Sequence, residues 1–303
     1  MSGALLVENK LHHEYWRRKS GQTSVVSTEN TTYGSAEGYP FINCIDDSGA
    51  TSFRVDSELR KAFITITFPV ATTINGFAIY GHNLTRNQGI KILYDTDTSG
   101  NIDTDFKGAP YTSNTYKPED NLYSPFGAVF DASVSVRRLT IETVGWGADS
   151  YISILSMGHW LTDHVEISAP FVPPSFTPYK ASIKRNNNAN YLSSDVKKVP
   201  QKISIKLQHF SEADLYTTTD SAQYTKINGH TKTYPFIDYA GYFLSHYPFF
   251  FMYNKGTAGD DDATKQADQQ KLYFCTIDGG LKQPSYSSPT LLNWSINAIG
   301  YIE

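Results

Sequence analysis

Asp95-Thr-Asp-Thr-Ser-Gly-Asn-Ile-Asp103 comes nearest to a metal loop in residue type and spacing. Oxygen donors such as Asp95, Asp97 and Asp103, arranged around a sharp glycine turn, are how calcium loops are built. The bidentate glutamate that closes such a loop at its twelfth position is missing, and Phe106 stands there. A hairpin turn after a strand over Ile90–Tyr94 explains the same residues. Asp46-Asp47-Ser48-Gly49 is a second acidic turn. Carboxylates and exposed aromatic rings are the usual tools for holding hydroxyl-rich ligands, so Asp46 and Asp47 are candidate sugar or calcium contacts. A plain turn before a strand is the simpler account of both. Trp146 lies between Gly145 and Gly147, where a tight loop would expose its ring as a sugar platform. Trp16, Trp160 and Trp294 read instead as core or interface anchors.

Few residues are arranged for catalysis. His12-His13, His82, His159 and His164 are scattered, and adjacent histidines on a strand point to opposite faces, so no transition-metal site is expected. The chain has no GxSxG elbow, HExxH helix, Walker loop or GxGxxG fingerprint. A glycan-degrading activity would need paired carboxylates, and only the turn aspartates Asp95, Asp97 and Asp103 are on offer. The expectation is a protein that is not an enzyme and needs no cofactor.

The elements that must position these residues read as strands. Ile64, Ile66 and Phe68 share one face of Lys61–Phe68, with Thr65 and Thr67 on the other. Ile74–Tyr80, Ile90–Tyr94, Arg138–Glu142 and Tyr151–Met157 continue the series. Asn75-Gly76, residues 98–101 and Gly145-Trp146-Gly147 read as the turns between them. Many short strands with this punctuation predict a β-sandwich, and the absence of βαβ alternation argues against a doubly wound nucleotide-binding fold. Four prolines within Ala169–Tyr179 predict an extended connector. Beyond it, Lys202–Gln208 alternates cleanly, and Pro248–Tyr253, Lys271–Ile277 and Leu291–Ile302 read as strands. Ser211-Glu-Ala-Asp214 fits a capping box that opens a helix over about 212–226, and Phe236–His246 reads as a second short helix. The long acidic stretch Lys255–Gln270 reads as a mobile loop. The expected class is therefore mainly β, with an N-terminal sandwich over residues 1–165 and a proline-rich linker over 166–180. A β-rich domain with one or two short helices would follow over 181–303.

Composition narrows the function. The 303 residues include 21 Tyr and 17 Phe, which favour strands. With 26 Lys plus Arg against 30 Asp plus Glu the formal charge is −4, so no nucleic-acid partner is expected. Cys44 and Cys275 are the only cysteines, which excludes a disulfide framework and points to a reducing compartment. No apolar stretch approaches the ~20 residues of a membrane span. The N-terminus carries no basic-then-apolar leader, so manufacture in a cytoplasm is expected, and Asn30, Asn83 and Asn293 in glycosylation sequons carry no weight.

The N-terminal half resembles galactose-binding-like, discoidin-type jelly-roll domains. The resemblance rests on Tyr39–Asp47, Phe53, Phe63–Phe68 and Ile74–Leu84, then on Tyr94–Gly100, Arg138–Glu142 and Ile152–Gly158. Phe53 stands where such domains usually have tryptophan, and Tyr94–Gly100 matches the family's hairpin turn. The whole chain is similar to bacteriophage tail proteins built from this domain plus a C-terminal β domain. Glu8–Leu11, Gly81–Leu84, Met157–Leu161, Pro248–Phe251 and Leu291–Ile302 carry that likeness. It implies a structural tail-tip or baseplate component, a distal tail or adaptor protein. Such a protein assembles as a homo-oligomeric ring in the virion and joins tail tube to hub or fibres. The alternative it implies is a carbohydrate-binding, receptor-recognition protein of the virion that touches host surface glycans.

Overall fold

The structure, a computed structural model, describes residues 3–12, 25–30, 33–46, 48–95, 115–118, 125–162, 165–167, 179–185, 191–198, 201–211, 224–225, 231–232, 236–257, 264–265, 269 and 272–301. The strands are β1 (Ala4–Asn9), β2 (Val26–Glu29), β3 (Phe53–Arg54), β4 (Phe63–His82), β5 (Gly89–Asp95), β6 (Phe126–Val144) and β7 (Tyr151–Leu161). They continue with β8 (Val165–Ile167), β9 (Tyr179–Arg185), β10 (Tyr191–Lys198), β11 (Gln201–Ser211), β12 (Tyr224–Thr225) and β13 (Thr231–Lys232). One helix, α1 (Phe236–His246), precedes β14 (Phe249–Met252), β15 (Leu272–Ile277), β16 (Ser285–Ser288) and β17 (Leu291–Tyr301). The fold is mainly β. Among the described residues no helix is long and apolar enough to cross a membrane.

One antiparallel sheet runs β5-β6-β4-β7-β1-β14-β15-β17-β11-β8, with β2 on β4, β3 on β7 and β16 on β17. Its outer arms are long and irregular. β4 pairs with β6 along most of its length, but the register shifts between Thr67 and Thr72 and again between Ile74 and Gly76. Bulges of this kind bend a strand and let a sheet fold over into two layers. Both arms of β4 accordingly face one core: Ile64, Ile66 and Phe68 from the first, Phe77 and Ile79 from the second. The inward parity changes from even to odd where the second shift falls.

That second shift corrects the expected Asn75-Gly76 turn, since both residues lie inside β4. The Asn75 side chain takes over from the sheet ladder there. Trp160 N–H donates to Asn75 Oδ1 (2.6 Å) and Asn75 Nδ2 donates to Trp160 O (2.8 Å). Gly76 is required because a Cβ would sit 2.4 Å from the Ala128 carbonyl oxygen and 2.7 Å from the Trp160 ring. An Asn-Gly pair is the strongest short-range turn signal, and here tertiary packing overrides it.

β1 joins the two halves of the chain. It pairs with β7 on one side and with β14 on the other. Leu5 and Val7 enter the main core, while Ala4 and Leu6 enter a second cluster on the opposite face with Ile154, Trp160, Phe250 and Met252. A strand buried on both faces reads as a continuous apolar run, as Ala4–Val7 does. α1 lays Ala240, Phe243 and Leu244 into the main core at helical spacing. Sheet and core thus both pass from one half of the chain to the other.

A β1 bulge after Leu6 brings Glu8 and Lys10 inward. Lys10 Nζ lies 3.4 Å from Glu8 Oε2 and donates to the Thr73 carbonyl (2.9 Å), with both side chains almost fully buried. In the stretch over 255–270, expected to be a mobile loop, Lys255, Lys265 and Gln269 are anchored, and residues 264–265 and 269 are helical. Gln269 is buried, accepts from Val129 N–H and donates to Val129 O and Lys255 O. Lys265 pairs with Asp131 at 2.8 Å. The predicted helix at 212–226 falls outside the described residues except at Tyr224–Thr225, which pair with β13 as a strand instead, and most of the expected linker also lies outside them.

Candidate functional site

Trp146 is buried, against the expectation of an exposed ring. Gly145 takes the left-handed backbone (φ 70°), which turns the chain after β6 and sends the indole inward. Its Nε1–H donates to Gly89 O (2.8 Å) and its ring packs against Phe53 at 5.8 Å. A ring packed in the core has no face to offer a sugar. Phe53 packs edge-on against Phe41 (5.5 Å). Trp160 and Trp294 are also buried.

Asp46 sits on an exposed turn after a 3-10 turn over Phe41–Cys44. Its carboxylate accepts from Ser48 N–H (2.9 Å) and from the Thr51 hydroxyl (3.0 Å). Those bonds close the turn, which is what short acidic side chains do in Asx turns. Asp47, Asp97 and Asp103 lie outside the described residues, and Asp95 ends β5 with its side chain outside the description. Among the described residues no group of three or more His, Cys, Asp or Glu side chains is placed to hold a metal ion. His82 is buried, accepts from Leu84 N–H and meets Phe126 edge-on. His12 packs on Tyr247 at 4.4 Å.

Both cysteines are buried and unbonded to each other. Burial pushes the Cys44 thiol well above its ordinary range, helped by the nearby Asp46 charge, and burial does the same to Cys275. Such thiols stay protonated and are poor nucleophiles.

The residues left exposed define a different surface. Among the described residues, Tyr33, Tyr39, Ile42 and Leu59 are large apolar side chains facing solvent, and only Val26 and Tyr286 share that property elsewhere. The four flank β3, whose Arg54 is the chemical centre of the region. Arg54 pairs across the sheet with Tyr151 at the start of β7. Its N–H donates to the Tyr39 carbonyl (3.3 Å), which fixes the Tyr39 loop beside it. The guanidinium lies 4.3 Å from the Tyr39 ring centre and 5.6 Å from that of Tyr151. Cation–π contacts of this kind hold the plane of the guanidinium. Asn83 braces the floor: its Oδ1 accepts from Tyr151 N–H (2.8 Å) and its Nδ2 donates to Asp149 O (2.7 Å).

The Arg54 side chain makes no hydrogen bond or ion pair with any described residue, and its Nε is buried without a partner. Two carboxylates of this region are engaged with backbone N–H groups. Glu29 accepts from Ser35 and Phe41 (both 2.8 Å), and Asp56 accepts from Glu58 (2.9 Å) and Leu59 (3.1 Å). Lys61 is held elsewhere, by Glu142 at 2.9 Å. A flat, oriented donor group is thus set between the exposed Tyr39 ring and the half-buried Tyr151 ring, with its charge unmatched among the described residues. Such a surface can stack a ring carrying C–H groups and donate to oxygens at its edge. Sequence reasoning missed it because Tyr151 lies far from Tyr39 and Arg54 in the chain, and only the pairing of β3 with β7 brings it to them.

The fold and this surface define a mainly β sandwich chain with an exposed aromatic–guanidinium patch. No protein-family model matches the chain, and no curated protein matches it in sequence. Among solved structures it is similar to a GH29 fucosidase of Ruminococcus gnavus in complex with fucose, at 14% identity and a TM-score of 0.38. That match covers 52% of this chain and 28% of the fucosidase, so the chain spans little more than a quarter of that enzyme's length. It is also similar to chitosan-binding module 1 of a Paenibacillus sp. IK-5 chitosanase/glucanase, at 12% identity and a TM-score of 0.36. There the match covers 50% of this chain and 99% of the module. A third likeness is to a pectin-binding carbohydrate-binding module, at 11% identity and a TM-score of 0.32, covering 46% of this chain and 91% of that one.

Proposed function

We propose that this chain is a non-catalytic glycan-recognition protein of a virion, which holds host surface carbohydrate on the Tyr39–Arg54–Tyr151 patch. The observation that carries the reading is the Arg54 guanidinium, stacked beside two tyrosine rings with no hydrogen-bond or ion-pair partner among the described residues. Rings supply the apolar face a sugar needs, and the guanidinium supplies directional donors for its oxygens. Recognition of this kind requires no turnover and no cofactor. The test is a glycan array probed with the full chain, repeated with Tyr39→Ala and Tyr151→Ala proteins whose melting temperatures match the parent. Saturable binding that both substitutions weaken supports the proposal. Binding unaffected by either, or no binding at all, refutes it.

A second reading, a ring-forming structural component of a bacteriophage tail tip, is favoured by β1. By pairing with β7 and β14 it makes the two halves one hydrogen-bonded sheet, as an adaptor that transmits load between neighbours would require. Light scattering and electron microscopy of the purified chain test it: closed rings support it, and a monomer at all concentrations that also fails to join tail proteins removes it.

A further inference from the structure

We infer that the sugar taken by this surface is acidic, its carboxylate seated on Arg54 while its ring rests against Tyr39. The inference rests on the glycan-recognition reading and deepens it. It comes from charge accounting around β3. Three described carboxylates of this region are spent on backbone N–H groups or a hydroxyl: Asp46 on Ser48 and Thr51, Asp56 on Glu58 and Leu59, Glu29 on Ser35 and Phe41, while Glu37 and Glu58 are exposed. None of them pairs with the guanidinium. Lys61, a neighbouring cation, is paired with Glu142.

The positive charge of Arg54 is carried on one flat group. Stacking on Tyr39 at 4.3 Å fixes that group's plane. A guanidinium held in this way presents parallel N–H donors that match the two oxygens of a carboxylate, and such charge-assisted pairs are stronger than bonds to neutral hydroxyls. A neutral sugar would leave the cation covered and unmatched, which carries a desolvation cost. The chain as a whole is acidic, with a formal charge of −4. Attraction of a polyanion by overall charge is thus not available, and selectivity must come from this one site.

The experiment uses the full chain and a panel of bacterial surface polysaccharides, each in native form and after carbodiimide–borohydride reduction of its carboxylates to alcohols. Binding is measured by calorimetry for the parent, Arg54→Lys and Arg54→Gln, with thermal melts to verify folding. The expected result is binding to uronate-bearing members that weakens about 10- to 100-fold on carboxyl reduction. Arg54→Gln is expected to bind the native and reduced forms alike, and Arg54→Lys to recover only part of the preference. Binding that survives carboxyl reduction unchanged overturns the acidic-sugar inference and leaves glycan recognition standing. Failure to bind any member in either form overturns both. Polyglutamate is the competitor: if it displaces the glycan as well as free glycan does, charge alone is being read and the inference falls.

Discussion

Replacing Asn75 by leucine removes the two hydrogen bonds with which its amide stands in for a sheet rung, while keeping a side chain of similar size. The partners are the N–H and C=O of Trp160, a residue 1% exposed, so neither group can turn to water. Leaving a buried backbone donor or acceptor unsatisfied costs about 1–3 kcal/mol, so the pair is worth about 2–6 kcal/mol. The apolar leucine, nearly as buried as the asparagine it replaces, returns about 1 kcal/mol. The net loss expected is therefore about 1–5 kcal/mol, a large share of the ~5–15 kcal/mol by which a typical chain is stable. Urea unfolding at 25 °C, followed by tryptophan fluorescence and by circular dichroism, reads it as a lower midpoint with an unchanged slope. Asn75→Asp keeps the acceptor for Trp160 N–H and loses the donor to Trp160 O, and is expected to fall between the parent and Asn75→Leu. A loss below about 1 kcal/mol for Asn75→Leu would refute the claim that this side chain replaces the ladder.

Three further outcomes follow from the same structure. Trp146→Phe should lower stability by about 1–3 kcal/mol, through the lost bond to Gly89 O and a smaller ring, yet leave any glycan affinity of the folded protein unchanged. Calorimetric titration together with a melt reads both. Lys10→Met should cost about 3–5 kcal/mol, because the buried Glu8 carboxylate loses its cation, and the double substitution Glu8→Gln with Lys10→Met should recover part of that loss in urea melts. Stability should also decline at alkaline pH. Burial raises both thiols in the folded state, so their contribution is complete below the unfolded thiol pKa of about 8.5 and falls above it by about 1.4 kcal/mol per pH unit per thiol. Tyr273, whose hydroxyl donates to Gln201 Oε1, is raised by burial and adds to the decline at higher pH. Urea midpoints between pH 7.5 and 10.5, at about half-unit steps, should fall less steeply for Cys275→Ala than for the parent; equal slopes would contradict the assignment.

The local parts of this architecture are legible in the residues. Alternation in Lys61–Phe68 and Lys202–Gln208 predicts strands, and β4 and β11 are there. The apolar spacing of Phe236–His246 predicts the helix that α1 forms. Period two and period 3.6 are properties of neighbouring residues, so a single segment records them. Asn75-Gly76 shows where that record misleads. As a dipeptide it signals a turn, but Trp160, 85 residues away, takes both hydrogen bonds of the Asn75 amide and holds the pair inside a strand.

What the sequence determined by itself was the mainly β class, the positions of eight of the seventeen strands among the described residues, the helix α1 and the lack of a disulfide framework. Only the tertiary structure decided that β1 lies between β7 and β14, that Trp146 turns inward to Gly89, and that Arg54 meets Tyr39 and Tyr151 at the surface. The physical reason is that strand partners and surface neighbours are chosen by burying the most apolar area with every backbone group satisfied. That choice is made by the whole chain at once, and no short stretch of residues carries it.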